Sequence, residues 1–520
     1  MKIKILIISF LIKSFSYGQA GNLDLTFNNG LGYKFETTRN GARGYFYGRC
    51  ALLQTDGNII VGGYNRIELS NDVFAEDRPA VLRLNADGTK DLSFGINGII
   101  TLVIPPINNI AFNFGFKIDG VNYMTLQDDG KIILVGNNTP YYSTLNTIRL
   151  NPDGSLDNSF GVNGVSIITT GFDGCEANAV KVLTNGKILI AGLCGSNVTG
   201  SEARVIRLLS NGTIDTTFGI NGYSPSINGT LAYQSTFRAI SIQNDGKIVC
   251  SGEFNAINNT TLNFVTVRYN PDGSFDNSFG INGIAQNPTS SGYDIAINQL
   301  IQPDGKILTI GQGEGITLVR LNIDGSLDST FNPNGIEPGI LNNSFNGFNS
   351  LTGWSMVLQP DAKIVLVGTF IDTIIARLNP DGSLDTSFNN VGYTISNYGQ
   401  PENVGDDYHS VFLLPTGKIL VVGQTPYVDG MFTFAYTTVT RYNSGLNLSN
   451  ESFNKNNVTV YPNPTNNKSF FDNSQSQFNN LEIYNYLGQL VSSQKMQFSN
   501  NQEIDLSKFS TGIYVLKMSN

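Results

Sequence analysis

Histidine is all but missing from this chain. His409 is the only one in 520 residues, Trp354 is the only tryptophan, and there are four cysteines, Cys50, Cys175, Cys194 and Cys250. No Cys/His cluster with zinc-ligand spacing can be assembled from that stock. Charge is scarce too: Asp, Glu, Lys and Arg make up 14% of the residues, and the net charge is −9. No basic stripe is available to displace counterions, which excludes nucleic acid as a partner. A long apolar run is also lacking. Ile5 to Leu11 is broken by Lys13, and no later segment is long and apolar enough to cross a bilayer, so no transmembrane segment is expected.

Glycine is abundant (56 residues) and aromatics reach 11%. That profile suits an all-β protein rich in turns. The first twenty residues read as a secretory signal peptide, residues 1–20. Lys2 and Lys4 form the charged start, Ile5 to Leu11 the apolar run, and Ser16, Gly18 and Ala20 are small, so cleavage after Gly18 or Ala20 fits. Export permits disulfides. Cys175 and Cys194 flank the Asn185-Gly186 turn and could meet near the open end of one hairpin, although their offsets from the turn differ by two residues. Cys50 and Cys250 fall in different repeats and read as buried thiols.

The chain is built on repeats. An Asp-Gly-Lys-Ile type of turn occurs seven times, with its glycine at Gly57, Gly130, Gly186, Gly246, Gly305 and Gly417 and an exception at Ala362. An Arg-[Leu/Tyr]-Asn strand alternates with it at Arg83, Arg149, Arg207, Arg268, Arg320, Arg377 and Arg441. After six of these strands comes Asp-x-[Ser/Thr]-Phe, at Asp91, Asp157, Asp215, Asp276, Asp328 and Asp385. The seventh copy, Asp24-Leu25-Thr26-Phe27, stands at the opposite end of the chain.

Each motif reads as a hairpin. In Asn151-Pro152-Asp153-Gly154, Pro presets φ, Asp suits the next position, and Gly takes the left-handed residue of a three-residue loop. Counting outward from that turn, Leu150 faces Leu156 and Arg149 faces Asp157, an opposite-charge cross-strand pair adding about 0.2–1 kcal/mol. Four short strands per repeat, called a, b, c and d, cannot cover their own faces, whereas seven stacked radially can. The expected fold is therefore a seven-bladed β-propeller, residues 21–446. Its last blade takes a, b and c from the C-terminal side and d from Leu23–Phe27. Asp24 is then placed opposite Arg441. An open β-solenoid is the rival.

The alternation of Leu-Gln-Pro-Asp-Gly-Lys-Ile with Arg-Leu-Asn-Pro-Asp-Gly-Ser-Leu-Asp-x-Ser-Phe-Gly-x-Asn-Gly resembles the delta-60 repeat family over about residues 21–446. The resemblance implies an exported or surface-associated bacterial β-propeller and no established activity. Beyond an Asn- and Ser-rich linker, residues 447–456, the tail changes character. Val458-Thr459-Val460-Tyr461-Pro462-Asn463-Pro464, Leu481-Glu482-Ile483-Tyr484-Asn485, Gly488-Gln489 and Thr511-Gly512-Ile513-Tyr514-Val515-Leu516-Lys517 read as a small β-sandwich of alternating strands. These motifs resemble the C-terminal sorting domain of the type IX secretion system of Bacteroidetes, residues 457–520. The family pattern adds a further turn and strand beyond Met518-Ser519-Asn520. The resemblance implies the type IX machinery as a partner, and a secreted or cell-surface location outside the outer membrane.

Candidate chemistry is sparse. Asn151, Asp153, Ser155 and Asp157 alternate as in a calcium loop, but the Gly and bidentate Glu positions of an EF-hand do not fit, so no metal is expected. His409 has no nucleophile elbow to serve and reads as a polar residue at a blade end. Glu76, Asp77, Asp173, Glu176, Glu314 and Asp406 are scattered carboxylates, none of which stands out as a catalytic pair. No catalytic residue and no cofactor is assigned. The loops opposite the uniform turns vary: Tyr64–Pro79, Ile104–Lys117, Asn137–Leu145, Gly335–Phe348 and Gln424–Ala435. The candidate binding-face aromatics on them are Phe74, Phe114, Tyr141, Tyr142, Phe345, Tyr427 and Phe432. Trp354 reads as core. The functional expectation is an adhesin-like binding module for a glycan or surface protein. The alternative is a carbohydrate-active enzyme, a glycoside hydrolase or lyase, with its site on the variable-loop face.

Overall fold

In the computed structural model, residues 19–36, 44–67, 76–102, 124–137, 144–172, 174–196, 200–227, 232–256, 261–287, 294–343, 345, 351–369, 372–396, 407–429 and 432–446 are described in the propeller. In the tail the described residues are 468–471, 480–485, 490–495, 502–509 and 514–519. The chain divides into two compact units, with the boundary between Asn447 and Leu448.

Seven antiparallel sheets make the first unit, each one blade. Blade 4 shows the pattern: strand a is Ala232–Ile242, b Ile248–Ala256, c Leu262–Tyr269 and d Ile284–Asn287. In blade 3 the fourth strand shrinks to a bridge between Ile206 and Tyr223. The seven a strands touch one another in a closed ring, Gly44–Leu53 of blade 1 meeting Asp407–Leu413 of blade 7. Strand a therefore lines the axis and d forms the rim.

The hairpin arithmetic holds. Asn151 N–H donates to Ser155 O and Gly154 N–H to Asn151 O, closing a three-residue loop in which Gly154 has φ 89°. Arg149 Nε meets Asp157 Oδ2 at 2.7 Å, and the equivalent pair repeats in every blade. The guanidinium has further tasks. It lies over the ring of the Asp-x-[Ser/Thr]-Phe phenylalanine, 4.6 Å from the Phe160 centroid. It also donates to a carbonyl in the c–d turn of the next blade, Arg83 to Pro152 O at 2.7 Å and Arg149 to Ser210 O at 2.6 Å. That same turn presents its glycine to the phenylalanine. A Cβ on Gly212 would fall 2.8 Å from Phe160, and one on Gly273 2.8 Å from Phe218. Glycine is thus required both by its positive φ and by the ring beneath it.

The Lys of the a–b turn joins the same carboxylate, as in Lys187–Asp215 and Lys247–Asp276 at 2.8 Å. Asn58 takes its place in blade 1. Burial works against the charged Asp157, but the Ser159 hydroxyl and backbone N–H and the Arg149 guanidinium outweigh it and hold its carboxyl down to about 2.

The Asp-x-[Ser/Thr]-Phe segment is not strand d. Ser278 N–H and Oγ both donate to Asp276 Oδ1, at 3.2 and 2.7 Å, which bends the chain into a turn. A second turn through Asn282 (φ 54°) and Gly283 (φ 90°) is needed before d begins at Ile284. The closing strand of blade 7 is likewise Tyr33–Glu36, paired with Thr437–Thr440, and not Leu23–Phe27. Leu23 makes only a bridge to Tyr442.

Ring closure itself follows the expected scheme. Arg441 Nε meets Asp24 Oδ2 at 2.7 Å. The c–d turn of blade 7 is assembled from both chain ends: Gly21 N–H donates to Asn443 O, Asn443 N–H to Asn22 O, and Asp24 N–H to Arg441 O. Arg377 of blade 6 reaches Ser444 O in this composite turn.

Two expected loops prove to be strands. Ile419–Asp429 and Phe432–Tyr442 pair out to Asp429 opposite Phe432, so most of Gln424–Ala435 is hairpin. Ile59–Ile67 and Glu76–Leu84 do the same in blade 1. In the tail, Lys468–Phe471 pairs with Gln502–Asp505, and Asn480–Asn485 lies between Leu490–Lys495 and Tyr514–Ser519. Leu481, Ile483 and Ile504 form their shared apolar cluster.

Ala20 is buried, and its carbonyl accepts Asn389 N–H at 2.7 Å. Cleavage after Ala20 would remove that group from the blade 6–7 joint. In the exported protein, intact-mass analysis is expected to find Gln19 as the first residue; a chain beginning at Gly21 would show that this joint is dispensable.

Candidate functional site at the propeller axis

In six blades the b strand carries a glycine that faces an irregularity in strand a. A Cβ on Gly63, Gly192, Gly252, Gly311 or Gly423 would fall 1.8–1.9 Å from a carbonyl oxygen of the inner strand. The backbones approach there, and strand a takes in one extra residue, a β-bulge. The register shifts fall at Arg49 in blade 1, Asn178 in blade 3, Arg238 in blade 4, Ile297 in blade 5, Trp354 in blade 6 and His409 in blade 7. The corresponding stretch of blade 2 lies outside the described residues. Six side chains of five residue types thus occupy equivalent positions around the axis: two guanidiniums, an amide, an aliphatic, an indole and an imidazole.

Short links hold these inner strands in place. Ser410 Oγ accepts Ala51 N–H at 3.2 Å, Ser355 Oγ accepts Val411 N–H at 3.4 Å, and Gln424 Nε2 donates to Gly48 O. Asn178 Nδ2 donates to Phe237 O of the next blade at 3.1 Å. The sector formed by blades 6, 7 and 1 differs from the rest. Trp354 and His409 meet edge to face with centroids 5.4 Å apart. Trp354 Nε1, His409 Nε2 and Arg49 Nε are all buried without a hydrogen-bond partner among the described residues. His409 is 5% exposed. Burial first, and then the nearby Arg49 charge, push its imidazole down to about 3, so it is neutral at ordinary pH.

The two arginines of the ring are treated differently. Arg238 is neutralised by Glu253, its Nε and Nη2 lying 2.8 Å from the carboxylate oxygens. Arg49 instead lies over Tyr64, 5.7 Å from the ring centroid, and Tyr64 stacks on Tyr47 at 4.8 Å. No carboxylate among the described residues pairs with Arg49.

The sequence-predicted aromatics fare unevenly. Phe74, Phe114, Tyr141 and Tyr142 lie outside the described residues. Tyr427 and Phe432 are on the extended hairpin of blade 7, where only their backbone is described. Phe345 is 3% exposed and packs edge to face on Tyr393, so its ring belongs to the blade core and not to an exposed face. Trp354 and His409 also depart from expectation: the first is half-buried at the axis, and the second is at the axis and not at a blade end. Of the carboxylates, Glu176 is on the inner strand of blade 3 and Glu314 at the tight b–c turn of blade 5. Asp173 and Asp406 lie outside the described residues, as do the side chains of Glu76 and Asp77. The signal for the axial ring was present in the b-strand glycines, whose spacing marks where strand a must bulge.

Cys175 and Cys194 form a disulfide. The three-residue turn takes up one residue of their unequal offset and the bulge at Asn178 the other, leaving them directly opposite. Closing that loop stabilises blade 3 by about 3 kcal/mol. Cys50 and Cys250 are buried and take no part in the disulfide, as expected.

Residues 54–94, 127–160, 183–218, 243–279, 302–331 and 359–388 match the DUF5122 beta-propeller domain, and residues 459–520 match the secretion system C-terminal sorting domain. The chain carries DUF5122 propeller repeats and a type IX sorting tail. No curated protein matches it significantly. Among solved structures, a polysaccharide lyase of family PL25, an ulvan lyase, is similar at 10% identity over 80% of this chain and 96% of the lyase, with a TM-score of 0.45. A surface component of the type IX secretion system of Porphyromonas gingivalis, PorZ, is similar at 11% identity over 92% of this chain and 68% of its own, with a TM-score of 0.32. Nothing about activity is taken from likenesses at this level. In the DUF5122 propeller, the repeat motifs account for the turn end of the ring, and the axial residues fall between them.

His409 is the only histidine, so it alone titrates between about pH 6.5 and 5 in the usual range of side chains. Its folded value lies below its ordinary 6.5. The unfolded chain therefore binds the proton more readily, and stability falls as pH drops through that window. Denaturant unfolding is expected to show a loss of about 1–2 kcal/mol from pH 6.5 to 5, absent in His409→Gln. A wild-type profile as flat as the variant's would show that His409 is not held neutral by burial.

Proposed function

We propose that this protein is a surface-displayed or released binding module, adhesin-like and without catalysis. Its sorting tail implies export through the type IX system to the cell surface or beyond. The propeller contacts a glycan or surface protein through its axis and the end opposite the uniform turns. One observation carries this reading. At the turn end the blades repeat the same Arg, Asp and Phe. At the axis, equivalent positions hold Arg49, Asn178, Arg238, Ile297, Trp354 and His409. Packing of a repeated scaffold is satisfied by repeated residues, so divergence at one geometrically constant position favours recognition over structure.

Two measurements test the reading. On a glycan array, the chain is expected to bind a subset of sugars and to release no product from them; turnover would replace the binding module with a carbohydrate-active enzyme. Deletion of residues 457–520 is expected to abolish surface delivery, measured by protease accessibility on whole cells, while leaving the propeller folded. Normal delivery of the truncated chain would overturn the sorting role.

A further inference from the structure

Buried polar atoms without partners are scattered through the propeller, but three of them are nitrogens at equivalent bulge positions of the inner strands. Each unsatisfied polar group of this kind disfavours the folded state. The three stand on consecutive blades, Trp354 Nε1 on blade 6, His409 Nε2 on blade 7 and Arg49 Nε on blade 1, with the Trp354 ring against His409 and the Arg49 charge near it. The indole N–H and the guanidinium N–H can only donate, and a neutral imidazole can donate from Nε2 in one tautomer. The sector therefore offers donors and asks for an acceptor.

Charge narrows the choice. At the same bulge position, Arg238 has its carboxylate built in as Glu253. Position for position, the residue after the b-strand glycine is Glu253 in blade 4 and Tyr64 in blade 1. Where blade 4 supplies a counter-ion, blade 1 supplies an aromatic face, and the Arg49 charge is left for something else. Tyr47 and Tyr64 stack beside it, and the edge-to-face Trp354–His409 pair flanks it on the blade 7 side. A planar oxyanion suits this setting: its oxygens take charge-assisted hydrogen bonds from a guanidinium, and the body that bears it can lie against the rings.

We infer that Arg49, Trp354 and His409, on the inner strands of blades 1, 6 and 7, form an oxyanion site that takes the carboxylate of an acidic ligand. The inference rests on the binding reading above and names the chemistry of one of its contacts. Arg49 supplies the charge, and Trp354 and His409 supply directed N–H donors. The ring of inner-strand links through Ser355, Ser410 and Gln424 fixes the three blades that carry them.

The chain reports on this site by itself, because Trp354 is its only tryptophan. The full chain is titrated with galacturonate, with acetate and with neutral galactose, following tryptophan emission. A saturable change with the two carboxylates and none with galactose is expected. Arg49→Gln is expected to weaken the response at least about tenfold, as loss of a charge-assisted contact does, and Arg49→Lys to retain part of it. Far-UV circular dichroism on both variants separates lost binding from lost fold. An equal response to galactose, an Arg49→Gln titration matching wild type, or no emission change with either carboxylate would each overturn the site. Glycan-array binding that persists when this titration fails would sink the axial site and leave the surface-binding reading standing.

Discussion

The structure depends on one guanidinium per blade. Each Arg on strand c holds the Asp of its own blade and lies over the Phe three residues beyond that Asp, and in blades 1 to 6 it also donates to a carbonyl in the turn of the next blade. A pair buried this deeply gains little from charge alone, since desolvation offsets it. What it gains is direction. The planar fork can satisfy a carboxylate and a carbonyl at a fixed angle, and that angle sets the relation of one blade to the next.

The regularity of the sequence at the turn end follows from that geometry. Proline or another turn former, then Asp, then Gly must recur because the preceding blade's phenylalanine presses on the glycine and its arginine reaches the turn carbonyl. Closure uses the same parts. The chain ends meet inside the turn of blade 7, where Ser444 receives Arg377 and Asn389 N–H is accepted by Ala20. The blade 6–7 joint is therefore made of the same contacts as its predecessors, and at the blade 7–1 joint the ring-on-glycine contact recurs, a Cβ on Gly88 falling 2.6 Å from Phe27. Ala362, with φ 62°, is the one turn where a side chain replaces the glycine, and it is an a–b turn, which no phenylalanine of a neighbouring blade underlies.

Function is placed where this lattice exerts no control. Strand a must bulge opposite each b-strand glycine, but nothing in the bulge dictates which side chain the extra residue carries. The axis is thus a ring of positions that are geometrically equal and chemically free. The variable loops share that freedom, and in blade 3 the disulfide braces the two inner strands.

Local chemistry was legible in the sequence. The turn type, the alternation of the strands and the facing of Arg149 by Asp157 follow from counting across a three-residue loop, and the displaced Asp24 motif sufficed to bring it to Arg441. Residues that act within eight positions of each other leave a periodic trace. The tertiary structure decided what lies beyond that range. Strand d began later than the motif implied, because Asp276 closes an Asx turn on Ser278 before the chain can extend. Phe345 became core by packing on Tyr393, a partner in another segment. Trp354, His409 and Arg49 are dispersed over the sequence in three repeats; blade stacking packs Trp354 on His409, and only the closing of the ring, which places the last blade against the first, sets Arg49 near His409.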